Sequence, residues 1–301
     1  MRRVSEARAG AKRMPAWMRR PLSAPGHGAQ VRDTLADLGL ETVCAEAKCP
    51  NRGECYGAGT ATFLVLGRQC TRDCRFCAVA SAPPGPADPD EPRRVAEAAA
   101  RMGLGHVVVT MVTRDDLPDG GAGHVAAVVG ALRALDPAPR VEVLISDMGG
   151  DAEAIAAVTD ARPDVFNHNV ETVPRLYADV RPQADYERSL AVLAQGARSG
   201  LPVKSGLMVG LGERPDEVRG VLADLRGAGV SFVTIGQYLR PSTAHLSVAE
   251  FVTPQTFAAY ARDARDLGFA GVASAPFVRS SYHAAEMAAA AAAGPSPSPR
   301  A

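Results

Sequence analysis

Residues 60–77 read TATFLVLGRQCTRDCRFC, a run of β-branched and aliphatic residues that feeds into a loop carrying three cysteines. An apolar run this short, closed by Gly67, predicts a strand buried on both faces, as in a parallel sheet. Further along the chain the unit recurs. Strands are predicted at Thr60–Leu66, His106–Met111, Val141–Ser146, Val165–Val170, Val203–Val209 and Phe232–Gly236, with a weaker run at Phe269–Ala273. Helices are predicted between them at Glu91–Met102, Val125–Leu135, Ala152–Val158, Tyr186–Arg198, Asp216–Gly227 and Pro254–Leu267. Gly103, Gly200, Gly229 and Gly268 stand where helices would close. Repeated strand–helix alternation implies a parallel α/β sheet. Polar segments follow successive strands: the cysteine loop, TRDD, Asp147, NHNVE, GLGE and QYLRPS. Such segments converge on one mouth in a barrel. The expected architecture is therefore a partial or barrel-like (β/α)6 arrangement.

The chain has 301 residues, 47% of them hydrophobic, with 33 basic and 33 acidic side chains. A balanced charge gives no general attraction to nucleic acid or membrane, and neither is expected as a partner. No run approaches the roughly 20 apolar residues of a spanning helix. The basic start lacks a secretory apolar stretch, and the Ala, Gly, Arg and Pro bias suits a GC-rich bacterial genome better than a transit peptide. A cytoplasmic location is expected. Prolines and glycines break residues 1–30, and the alanine run from Ala288 ends in GPSPSPRA, which reads as a disordered tail.

All six cysteines lie between Cys44 and Cys77. Such crowding favours metal binding over disulfides. Cys70, Cys74 and Cys77 form C-x3-C-x2-C, enough to hold three irons of a four-iron cluster and leave the fourth open. A zinc site with a distant fourth ligand is the alternative. Cys44, Cys49 and Cys55 form C-x4-C-x5-C, which is not a common zinc spacing and reads as a second cluster.

The string CTRDCRFC, with Phe76 two residues after the second cysteine, resembles the signature of the radical S-adenosylmethionine (SAM) superfamily. CPNRGEC, GTATFLVLG, VTRDDLPDGGA, FNHNVET, KSGLMVGLGE, QYLRPS and RSSYHA, in that order, resemble the lipoyl synthase family from about Pro15 to Ala284. The resemblance implies two [4Fe-4S] clusters and SAM as cofactors. It implies sulfur insertion at C6 and C8 of an octanoyl chain amide-linked to a lysine. The implied partners are octanoylated lipoyl carrier domains, such as 2-oxoacid dehydrogenase E2 subunits or the glycine cleavage H protein, and an electron donor such as flavodoxin or ferredoxin. The implied organisation is an extension over 1–58 carrying the second cysteine motif, a (β/α)6 core over 59–268, a C-terminal cap over 269–287 with RSSY, and the tail 288–301.

The resemblance also makes Ser281 the fourth ligand of the second cluster. By local sequence alone, Ser280 and Ser281 read as caps of a following helix. Serine is a weaker match to iron than a thiolate, so that corner is expected to be labile. Tyr56, Arg240 and Ser247 depart from the family's usual residues without removing a ligand. For SAM, the candidates are Asn167, Asn169 and Glu171, placed on one strand face by alternation with His168 opposite, together with Thr113, Lys204 and Gln237. His168 reads as structural, and TRDD as a positioning segment. Gly210 and Gly212 are read as allowing close backbone approach to the cofactor. A biotin synthase-like enzyme and a non-enzymatic iron–sulfur or zinc scaffold are the rival readings. The C-x4-C-x5-C motif and RSSY speak against the first.

Overall fold

The computed structural model describes residues 13–18, 28–57, 61–281 and 284–286, and the expected tail from Ala288 lies outside them. The strands are β1 (Glu41–Thr42), β2 (Thr62–Val65), β3 (Gln69–Cys70), β4 (Ala80–Ser81), β5 (His106–Met111), β6 (Arg140–Leu144), β7 (Val165–Asn167), β8 (Val203–Val209), β9 (Phe232–Gln237) and β10 (Gly271–Ser274). The helices are α1 (Gly28–Asp37), α2 (Val43–Glu46), α3 (Arg52–Gly57), α4 (Glu91–Arg101), α5 (Ala122–Arg133), α6 (Ala152–Asp160), α7 (Tyr177–Val180), α8 (Tyr186–Arg198), α9 (Pro215–Gly227) and α10 (Pro254–Asp266). One sheet runs in the order β1-β2-β5-β6-β7-β8-β9-β10. Only β1 is antiparallel to its neighbour; from β2 to β10 every pairing is parallel. Helices α4, α5, α6, α8, α9 and α10 make the six crossovers. Among the described residues no ladder joins β10 back to β1 or β2, so the sheet is a partial barrel.

Alternation sorts the strand residues by face. Val107, Val109, Val141, Val143, Val203, Val233 and Ile235 point outward and are buried at 1% exposure or less in the core beneath the helices. The intervening positions face the barrel interior. Helix starts are set by side chains that accept orphan N–H groups. Asp151 accepts from Glu153 and Ala154 at the start of α6, and Asp185 accepts from Arg188 at the start of α8. The four closing glycines all take positive φ, as a left-handed cap requires.

Several boundaries shift by a few residues from expectation, and two of the shifts have a visible cause. Helix α5 begins at Ala122 rather than Val125, because Asp119 accepts from Gly121 and Gly123 and holds the first turn. Strand β7 stops at Asn167 rather than Val170, because the backbone then leaves the ladder and reaches Glu171 at φ +66°.

Candidate active site

The short ribbon β3–β4 closes the cysteine loop, and main-chain bonds Cys77 N–H to Cys74 C=O (2.9 Å) and Ala82 N–H to Cys70 C=O (3.1 Å) shape it. Arg72, buried within the loop, anchors it to the barrel. Its guanidinium donates to Asp115 (2.7 and 2.8 Å) and to Asp147 (2.7 and 2.9 Å). Thr71 donates through both its N–H and its hydroxyl to the Thr113 carbonyl (3.1 Å each). Arg114 is buried and turns to Asp116 and the Leu66 carbonyl. Within TRDD, Thr113 and Asp115 thus hold the cysteine loop, while Arg114 and Asp116 pair with each other.

That loop covers a cavity of about 450 Å3, whose lining includes Cys70, Cys74, Cys77, Cys44 and Cys49. Asn169, Glu171, Gln237 and Thr113 share the lining, so Cys74, Asn169, Glu171 and Gln237 surround one space, as their positions after successive strands predict. A second, smaller chamber is bordered by Cys44, Cys49, Cys55, Thr62, Arg279 and Ser281. Among the described residues no three His, Cys, Asp or Glu side chains gather tightly enough to hold a single ion. The thiols of each triplet border a shared space instead.

Two candidates lie elsewhere. Asn167 and Lys204 are fully buried but do not line the cavity. Lys204 shares the inward face with Gly206, one layer deeper, and donates to Glu142 (3.0 and 3.2 Å). Asn167, paired with Lys204 in the β7–β8 register, donates to the same carboxylate (2.9 Å). These three side chains are committed to one another. The expected alternation also fails past Asn167: His168, Asn169 and Glu171 all line the cavity, because the strand has ended.

Asn169 donates to Glu171 Oε1 (3.0 Å) and to the Ser280 hydroxyl (2.6 Å), leaving its own Oδ1 buried without a partner. Glu171 is held at positive φ by a parallel bridge to Leu207, backbone strain of the kind found at binding sites. Burial pushes its carboxyl up, while Arg181, the Asn169 amide and Arg279 pull it back. Gln237 is less free than expected: its amide donates to the Tyr238 and Glu250 carbonyls and accepts from Val252, clamping the segment before α10. Gly210 and Gly212 do not line the cavity. A Cβ on Gly210 would meet the Gln237 amide and the Glu250 carbonyl, so the close approach is to that clamp.

Glycines that do face the cavity were not singled out from sequence. A Cβ on Gly206 would lie 2.6 Å from the Thr234 hydroxyl and 2.9 Å from Asn169 Oδ1. On Gly236 it would strike the Val278 carbonyl at 2.2 Å, so β9 admits the C-terminal segment only as glycine. Arg181 was also missed. It donates to the Asn169 carbonyl (3.1 Å) and lies against Cys74. Its only sequence signal was an arginine ahead of a proline.

The C-terminal segment folds back over the N-terminal extension. Asn51 donates to the Phe277 carbonyl (2.7 Å), and the Ser281 hydroxyl accepts from Thr62 (2.9 Å). Ser281 borders both spaces. Tyr56 packs with 5% exposure and its hydroxyl meets Thr42 at 2.6 Å. Arg240 folds onto its own loop, with Nε donating to the His245 carbonyl at 2.8 Å.

The donor chemistry fits iron–sulfur clusters. Burial pushes the Cys77 thiol up to about 12 and raises Cys74 and Cys44 as well. Thiols so placed are poor nucleophiles in their own right, whereas a metal centre displaces their protons. The unpaired Asn169 Oδ1 and His168 Nε2 belong to cavity-lining residues, acceptors available to a polar ligand.

The description "Radical SAM superfamily" matches residues 64–225. Lipoyl synthase from Nitratidesulfovibrio vulgaris strain Hildenborough is 56% identical over 90% of this chain and 91% of its own length. Lipoyl synthase from Trichlorobacter lovleyi is 53% identical over 92% and 99%, and that from Thiobacillus denitrificans 51% over 94% and 92%. Among solved structures, methylornithine synthase superposes with a TM-score of 0.54 at 16% identity, covering 80% of this chain and 77% of its own, a likeness of fold. With both cysteine motifs and RSSY in place, the chain belongs to the lipoyl synthase family of the radical SAM superfamily.

Proposed function

We propose that this chain inserts sulfur at C6 and C8 of an octanoyl group carried on a lysine of a carrier domain, using SAM and two [4Fe-4S] clusters. The observation that carries the proposal is that Cys70, Cys74 and Cys77 line one cavity with Cys44 and Cys49, while Cys55 joins Cys44, Cys49 and Ser281 around the smaller chamber that shares those residues. Cys70, Cys74 and Cys77 would hold the cluster that engages SAM; Cys44, Cys49, Cys55 and Ser281 would hold the other. When bound, the first supplies the electron for reductive cleavage of SAM and the second supplies sulfur. The protein's part is placement. Arg72 fixes the cysteine loop, Asn169 and Glu171 offer polar contacts at the end of β7, and the returning C-terminal segment covers the cavity. Exclusion of water protects a reactive carbon-centred species from side reactions. Among the described residues no helix is long and apolar enough to cross a membrane, in keeping with an enzyme of the cytoplasm. The test is anaerobic turnover: the reconstituted chain, SAM and a reductant are incubated with an octanoylated carrier domain. The expected mass change is that of two added sulfur atoms, with 5′-deoxyadenosine released. Cleavage of SAM with no sulfur gained by the carrier would overturn the proposal.

A further inference from the structure

Thr62 begins β2 and is 4% exposed. It stands outside the β1 ladder, which pairs only Phe63 and Leu64. Its hydroxyl donates to Ser281 Oγ at 2.9 Å across 219 positions of sequence. It borders the smaller chamber beside Cys44 and Ser281. Thr62 therefore reaches the serine that borders both spaces. The neighbouring serine is held differently, since Ser280 accepts from Asn169 on the barrel side.

We propose that Thr62 is a positioning residue for the second cluster: its hydroxyl steers and holds Ser281 Oγ. This rests on the reading of Ser281 as a ligand. A serine oxygen on iron is anionic, and a donor 2.9 Å away stabilises it by a charge-assisted hydrogen bond. The same bond draws electron density from that oxygen and weakens its hold on iron, so Thr62 both places the corner and sets how readily it opens. Partners of metal ligands commonly change metal affinity by roughly 10–100-fold when removed.

The test uses the full chain with Cys70, Cys74 and Cys77 changed to alanine, so that only the second site is loaded. Iron release to a chelator and the Mössbauer signature of the site are measured for this background and for added Thr62→Val, Thr62→Ser and Ser281→Ala. Thr62→Val keeps the shape but lacks the hydroxyl. It is expected to change the release rate by roughly tenfold or more and to alter the signature of one iron. Thr62→Ser is expected to restore both. Thr62→Val added to Ser281→Ala is expected to do nothing further, since the partner is gone. Release and signature unchanged in Thr62→Val, with Ser281→Ala clearly altered, would overturn the positioning role alone. Equal damage from Thr62→Val and Thr62→Ser would assign Thr62 to packing and also overturn it. A Ser281→Ala protein identical to the background would remove the ligand reading beneath it.

Discussion

Lys204 shows how a single residue can be read correctly for face and wrongly for role. Its place on β8 points it inward, yet it lies beneath the cavity in contact with Glu142, both side chains 1% exposed. Lys204→Met would leave that carboxylate buried without its cation and is expected to cost about 3–5 kcal/mol, measured by urea denaturation. Glu142→Leu combined with Lys204→Met should recover part of the loss, because an apolar pair replaces an ion pair with little penalty, while the buried Asn167 amide loses its acceptor. A second residue-scale expectation concerns acid. Burial, reinforced by Arg181, lowers His168 to about 4. The unfolded chain takes up that proton near pH 6.5, so stability should fall as pH drops from about 6.5 to 4. Burial pushes Asp147 up, but the Arg72 hydrogen bonds and charge outweigh it and hold the carboxyl at about 2. Its contribution is complete above about 3.9 and is lost as pH falls through about 2. Urea midpoints across pH should show the upper limb flattened in His168→Asn; an unchanged limb would remove His168 as its cause.

At the scale of elements, the crossover helices were legible because their apolar period and end signals are local. Tyr186–Arg198 is found where expected, and strands β5 and β8 match residue for residue. How closely a helix lies on its strand was not legible. A Cβ on Gly196 of α8 would lie 2.5 Å from the buried Phe166 ring of β7. Gly196→Ala gains helix propensity on an isolated peptide, yet here it must push helix from sheet. It is expected to destabilise by about 1–3 kcal/mol, and a stabilised variant in thermal melts would show that the contact relaxes freely. The cysteine loop is the other case. CTRDC reads as ligand spacing, but Arg72 between the ligands is the peg that joins the loop to Asp115 and Asp147. Only β5 and β6 lying side by side brings those two acids together.

For the whole molecule, two filled sites imply about eight irons per chain after anaerobic reconstitution. Separate tasks for the two triplets predict separable failures. Cys74→Ala should abolish cleavage of SAM, measured as 5′-deoxyadenosine. Cys49→Ala should retain cleavage and lose sulfur insertion into the carrier, measured by its mass. Equal loss of cleavage in a fully reconstituted Cys49→Ala protein would sink this division of labour. The arrangement depends on closure at long range, with Asn51 on the Phe277 carbonyl and Thr62 on Ser281.

By itself, the sequence determined the alternation of strands and helices, the ends at which polar segments gather, and the two thiol triplets. Each of these is carried by spacing over a few residues, where chain geometry leaves little choice. It also marked Ser281 through resemblance, against a local pattern that read as a helix cap. Tertiary structure alone decided depth and partnership. Period two assigns Lys204 and Gly206 to the same face but says nothing of which layer reaches the cavity, and that depends on how neighbouring strands stagger. Likewise Thr62 meets Ser281, and Arg72 meets Asp147, only because the partial barrel brings distant segments together. Hydrogen bonds across such separations have no local signature, since packing of the intervening chain sets their geometry.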